Sequence, residues 1–92
     1  MSWQVYMVIT SCGKLYTGIS TDVKRRFQEH QDMFENKKGK GAKFFRGHQP
    51  MEVVYMSAYE SRSDASKRES QIKKMSAANK QSLILKQKAA LS

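Results

Sequence analysis

Two runs near the N-terminus constrain this chain most: WQVYMVIT at 3–10 and LYTGIS at 15–20, both β-branched and aromatic, joined through Ser11, Cys12 and Gly13. That is a hairpin signature. With a three-residue loop and Gly13 in the left-handed position such loops favour, Thr10 opposes Lys14, Val8 opposes Tyr16 and Tyr6 opposes Gly18. Tyr6 and Tyr16 then lie diagonally on one face. A two-residue loop would shift the register by one and send the two phenols to opposite faces, so their pairing depends on Gly13.

Beyond the hairpin the chain reads as helix, basic loop, strand and two more helices. TDVKRRFQEHQDMF is helical, with Thr21 as N-cap, Asp22 in the first turn, and Val23, Phe27 and Phe34 at helical spacing. Residues 36–50 form a loop that has no acid between Lys37 and Gln49 and carries Lys37, Lys38, Lys40, Lys43 and Arg46. Phe44 and Phe45 interrupt it; a ring there can stack on a base, but the expected role is to anchor the loop to the core through at least one ring. Pro50 leads into a third strand, MEVVYMSAY. A helix is expected from Arg62 to Ala78, capped by Ser63, with Ala65, Glu69, Ile72, Met75 and Ser76 turned inward. The tail adds a short amphipathic helix through Leu83, Ile84 and Leu91. At 92 residues the whole chain, 1–92, makes one α+β domain in the order β-β-α-β-α-α.

The charge narrows the partner. Lys and Arg number 17 against 8 Asp and Glu, a net +9, which suits a polyanion such as nucleic acid. The five cations of the 37–46 segment would contribute affinity through phosphates more than sequence selectivity. A single cysteine excludes a disulfide framework, and no apolar run approaches the ~20 residues of a membrane span, so a cytoplasmic protein without membrane attachment is expected.

Three further residues bear on chemistry. Arg26 and His30 are four apart, within or beside the apolar stripe of their helix. Taken alone they read as an arginine snorkelling from the border and a satisfied, half-buried imidazole; the functional reading is a cation and a proton carrier turned inward. Glu69 is the only acid between Ala65 and the C-terminus, and it falls on the apolar side of a lysine-rich helix. A carboxylate there needs a partner: a structural Lys or Arg, or a hard cation completed by water and substrate oxygens. Two phenols, a guanidinium, an imidazole and a carboxylate converging from two strands and two helices suit phosphodiester cleavage.

These motifs resemble the GIY-YIG nuclease family over nearly the whole chain, in particular its small stand-alone bacterial members. Gln4-Val5-Tyr6 stands where the first motif ends in tyrosine, with Gln4 in place of its glycine, and Tyr16-Thr17-Gly18 stands for the second motif. Arg26 and His30 in TDVKRRFQEH match the helix arginine and the histidine or tyrosine one turn later. Glu69 in ASKRESQIKK matches the metal-binding glutamate. The resemblance implies a three-stranded antiparallel sheet flanked by helices and a site using one Mg²⁺ or Mn²⁺ on Glu69. It implies a nuclease acting on DNA ahead of RNA, with a protein partner for targeting. In it Arg26 shares phosphate charge, His30 relays a proton, one tyrosine, Tyr6 first, activates water, and Gly18 leaves room for close approach. The other readings the sequence leaves open are a non-catalytic nucleic-acid-binding module of the same fold and a small basic scaffold protein that binds RNA assemblies through the 37–49 loop.

Overall fold

The structure is a computed structural model in which residues 2–91 are described, with the backbone alone at Leu91. Its elements are β1 (Trp3–Thr10), β2 (Leu15–Ser20), α1 (Val23–Asn36), a 3-10 turn (Lys43–Arg46), β3 (Pro50–Tyr59), α2 (Arg62–Lys73) and α3 (Ala77–Leu91). The strands form one antiparallel sheet in the order β2-β1-β3. The expected α+β architecture is the one observed.

The central strand explains the two layers. Val5, Tyr6, Met7 and Val8 are all essentially buried, because alternate side chains enter opposite faces and both faces are covered. Val5 and Met7 pack with Tyr55, Ala65, Ile72 and Ile84 under α2 and α3. Tyr6 and Val8 pack with Val23, Met33 and Phe45 under α1 and the 3-10 turn. β3 keeps both layers supplied through a bulge: Met7 pairs with Tyr55 but Val8 with Val53, so Val54 is the extra residue.

The hairpin has the expected register, Tyr6 opposite Gly18 and Val8 opposite Tyr16. Thr10 N–H donates to Lys14 O at 2.9 Å, and Gly13 takes φ +85°. A Cβ at Gly13 would meet no atom within 4 Å, so only the backbone angle resists substitution. Gly13→Val is therefore expected to cost about 1–2 kcal/mol, from the left-handed penalty alone. Urea unfolding measures it, and an unchanged midpoint would mean that the loop does not need this conformation.

Helix boundaries depart from expectation in three places. Asp22, not Thr21, caps α1: Ser20 Oγ accepts from Asp22 N–H at 2.9 Å, holding Asp22 outside the helix, and Asp22 Oδ1 accepts from Arg25 N–H at 3.0 Å. Ser61, not Ser63, caps α2, its Oγ accepting from Asp64 N–H at 3.1 Å. The helix expected to reach Ala78 stops at Lys73, and Ser76, exposed rather than inward, receives Asn79 N–H on its Oγ at 3.2 Å to begin α3. On α1 the buried set is Val23, His30 and Met33. Phe34 is only half-buried, under the Lys37 ammonium at 4.5 Å from its ring centre. Of the expected tail face, Leu83 and Ile84 pack inward, while the side chain of Leu91 lies outside the described residues.

Candidate active site

Pairing Tyr6 with Gly18 places the Tyr6 phenol over a position without a side chain. A Cβ on Gly18 would fall 2.8 Å from Tyr6 Oη, 3.0 Å from Tyr6 Cζ and 3.1 Å from Tyr16 Cε2. Such contacts are too close for a methyl, so glycine here is a matter of space and not of backbone angle. Tyr6 and Tyr16 share the face, their ring centres 6.4 Å apart. Tyr6 is 1 % exposed, whereas Tyr16 is half-buried.

α1 brings up the next two groups one turn apart. His30 is completely buried, and both its nitrogens are engaged. Nε2 lies 2.7 Å from Tyr6 Oη, and Nδ1 accepts the Ala42 N–H at 3.3 Å. A peptide N–H can only donate, so in the neutral ring the proton sits on Nε2 and is donated to the Tyr6 oxygen. The ring is further held 4.3 Å from Phe45 and edge-on to Tyr16 at 5.2 Å. Burial, with the Arg26 charge second, lowers its pKa to about 4, so the imidazole is neutral at physiological pH. Burial likewise pushes the Tyr6 phenol well above its usual value, reinforced by Tyr16 and, more weakly, by Glu69, with Arg26 opposing.

The imidazole predicts a pH signature. Its pKa falls from 6.5 to about 4 on folding, so between those values the unfolded chain binds more protons. The stabilisation is complete above about pH 6.5 and is lost as pH falls towards 4, by about 3 kcal/mol in all. In urea melts across that window the wild type should lose stability more steeply than His30→Gln, which keeps an N–H donor and an acceptor without titrating. Parallel curves would mean that the imidazole titrates normally.

Arg26 is held in place from two sides. Its Nη1 donates to Glu29 Oε1 at 2.9 Å and to the Lys40 carbonyl, and its charge interacts with both phenols. The basic segment is thus docked rather than free. A Cβ on Gly41 would strike the Glu29 carbonyl and come 2.8 Å from Met33 Cβ, Ala42 N–H reaches His30, and Phe45 is 0 % exposed. Lys37, Lys38, Lys40, Lys43 and Arg46 are all exposed around it, with the Lys37 ammonium donating to the Arg46 carbonyl.

Glu69 stands on α2, and its charge is the weakest of the influences on the Tyr6 phenol. Its Oε2 lies 3.4 Å from Lys73 Nζ, one turn on, with the glutamate side chain 23 % exposed and the lysine 54 %. The described residues contain no cluster of three or more His, Cys, Asp or Glu that could hold a metal ion. Any cation here would rest on Glu69 with at most one further such side chain, and water and substrate oxygens for the rest.

Residues 2–82 match the model of the GIY-YIG catalytic domain. The chain belongs to the GIY-YIG family. It is 41% identical over 83 residues to a UPF0213 protein of Photorhabdus laumondii, covering 90% of this chain and 74% of that one. It is 39% identical over 82 residues to the UPF0213 protein YhbQ of Escherichia coli, covering 89% and 76%. The solution NMR structure of the UPF0213 protein BH0048 from Bacillus halodurans superposes with a TM-score of 0.55 at 32% identity, covering 91% of this chain and 83% of that one. GIY-YIG is a nuclease family, which implies a nucleic-acid substrate. Among the described residues no helix is long and apolar enough to cross a membrane.

Of the residues singled out from sequence, this GIY-YIG fold gathers Tyr6, Tyr16, Gly18, Arg26 and His30 on one face and brings Glu69 within electrostatic reach of Tyr6. Sequence reasoning missed Glu29 and Ala42, which fix Arg26 and His30. For Glu29 a signal existed, its i,i+3 spacing from Arg26. For a backbone donor at Ala42 there was none.

Proposed function

We propose that this chain is a metal-dependent nuclease that hydrolyses phosphodiester bonds in DNA, directed to particular structures by DNA shape or a partner protein. The observation that supports it most is the packing of two phenols and a hydrogen-bonded imidazole over Gly18, beside a guanidinium held by Glu29. The glycine lets the two phenols converge beside Arg26 and His30, and a phosphate-binding module needs no such gathering of a phenol pair, an imidazole and a guanidinium.

Glu69 fits a hard divalent cation: it is an oxygen ligand, half-buried, and its one partner is a solvent-exposed lysine that can move aside. Mg²⁺ or Mn²⁺ bound there supplies Lewis-acid stabilisation of the charge developing on the phosphate and the leaving oxygen. Arg26, a fixed cation aimed by Glu29, shares that charge. Tyr6 orients the attacking water and, as phenolate, accepts its proton; burial opposes that phenolate, while the His30 Nε2–H and the Arg26 charge favour it. His30 acts in this reading as a fixed donor to Tyr6 rather than as a relay, because its Nδ1 is closed by a peptide N–H. Tyr16, the more exposed phenol, donates to a phosphate oxygen.

The test is cleavage of labelled duplexes, single strands, flaps and junctions by the purified chain with Mg²⁺ or Mn²⁺. Metal-dependent products on any of them support the nuclease. Binding without cleavage across the panel would favour the non-catalytic module. The exposed cations make a separate prediction: neutralising Lys38, Lys43 and Arg46 should weaken binding similarly for all sequences and reduce the slope of log K against log salt by about 2–3. An unchanged slope removes the loop from the interface.

A further inference from the structure

Beside the face that carries Tyr16, the tip of the hairpin and the start of α3 enclose a groove of about 390 Å³. Lys14, Phe44, Lys80 and Gln81 line it, with the Gly13 backbone at its end and no acidic residue in its wall. Among the described residues the ion pairs are Arg26 with Glu29 and Lys73 with Glu69, so Lys14 and Lys80 have no carboxylate partner. Phe44 is fixed in orientation. His48 stacks on it at 4.3 Å with the planes 5° apart, and His48 Nδ1 donates to the Phe44 carbonyl at 2.9 Å. Phe45, next to it, is fully buried and serves the core, which leaves Phe44 as the ring that lines the groove. Its ring centre is 5.6 Å from that of Tyr16, so Phe44 is the residue that links the groove to the candidate active site.

Two unpaired ammonium groups beside a fixed aromatic ring and a side-chain amide match one ligand chemistry: phosphates flanking a base whose face is free to stack. A base inside a duplex has no free face. The volume lies at the small end of the roughly 300–1,000 Å³ typical of small-ligand pockets, enough for one base. We propose that this groove is a subsite for one unpaired nucleotide of the DNA strand that crosses the Tyr6 and Tyr16 face, with the base against the side of Phe44 that His48 does not cover and its flanking phosphates on Lys14 and Lys80. The proposal rests on the reading of that face as a DNA site, and it deepens it: the preferred substrate carries an unpaired segment next to a duplex, as at a flap, an overhang or a frayed end.

The experiment titrates the full chain, without divalent metal, into a blunt duplex and into the same duplex bearing a three-nucleotide overhang with 2-aminopurine at its first unpaired position. The wild type should bind the overhang about tenfold more tightly, since a stacked base contributes roughly 1–3 kcal/mol, and the 2-aminopurine fluorescence should be quenched. Phe44→Leu, checked for folding by its thermal melt, should abolish both effects and keep the affinity for the blunt duplex. Lys14→Gln with Lys80→Gln, both changes at the surface, should lower the salt slope for the overhang by about 1.4 while leaving the blunt duplex unaffected. Equal affinity of the wild type for the two DNAs, or a quench that survives Phe44→Leu, overturns the subsite and leaves the nuclease reading standing. Failure to bind either DNA overturns that reading as well. Competition by a poly-glutamate peptide that matches the overhang DNA would mean that the groove takes acidic protein segments, and the nucleotide assignment would be wrong.

Discussion

Gly18→Ala is expected to lower the melting temperature by about 5–15 °C and to cut cleavage at least tenfold. The new methyl would lie 2.8 Å from Tyr6 Oη and 3.1 Å from the Tyr16 ring. Neither ring can yield easily. Tyr6 is 1 % exposed and hydrogen-bonded to His30, while Tyr16 is wedged among His30, Phe44 and Phe45 at centroid separations of 5.2, 5.6 and 4.9 Å. Overpacking of this kind costs about 1–3 kcal/mol, partly offset by the ~0.4–1 kcal/mol gained when alanine replaces a flexible glycine in a strand. At this size a net loss of 1 kcal/mol moves the midpoint by about 4–8 °C. The larger consequence is positional, because a displacement near 1 Å in reacting groups can cost about a hundredfold in rate. Thermal melts and single-turnover cleavage measure the two parts. A variant as stable and as active as the wild type would mean that the phenols do not converge over this residue.

The hairpin was legible because its determinants are local. A glycine able to take positive φ sets the loop length, the loop sets the register, and the register puts Tyr6 and Tyr16 on one face with Gly18 beneath. Arg26 and His30 were legible for a similar reason, since one helical turn carries both to the same side. The features that escaped are decided at a distance. Residues 73–78, KKMSAA, hold no glycine or proline to mark a stop; the one local signal is Ser76, which caps α3, while Ile72 before the break and Ile84 after it both pack in the core under the sheet. The two phenylalanines of the loop are chemically identical neighbours. Only the 3-10 turn decides that Phe45 enters the core and Phe44 faces the groove. The glycines of the loop suggest flexibility, yet Gly41 permits a close approach that lets Lys40 and Ala42 hold Arg26 and His30. Glycine content measures what the backbone is allowed to do, and contact with α1 determines what it does.

Glu69→Gln should reduce metal-dependent cleavage by orders of magnitude while leaving the fold almost untouched. The sequence alone left two partners open for this carboxylate, and they predict different stabilities. A buried ion pair broken from one side would cost about 3–5 kcal/mol. The pair observed is of another kind: Lys73 is one turn away on the same helix, at 3.4 Å, with a side chain 54 % exposed. Pairs of that geometry are screened by solvent and contribute roughly 0.3–0.5 kcal/mol, so glutamine, which keeps the shape, should shift the melting temperature by only a few degrees. The charge is another matter. A neutral amide is a poor ligand for a hard cation, and with no three-residue acidic or imidazole cluster among the described residues to take over, affinity for Mg²⁺ or Mn²⁺ should fall with the activity. DNA binding measured without metal should stay the same or tighten, since an anion beside the phosphate has gone. Lys73→Met serves as the control: it removes the same ion pair and should retain cleavage. If Glu69→Gln cuts DNA as fast as the wild type across a Mn²⁺ titration, the carboxylate does not hold the cation. If it instead unfolds, or if Lys73→Met loses activity to the same extent, the ion pair is the function of Glu69 and the metal must be held elsewhere.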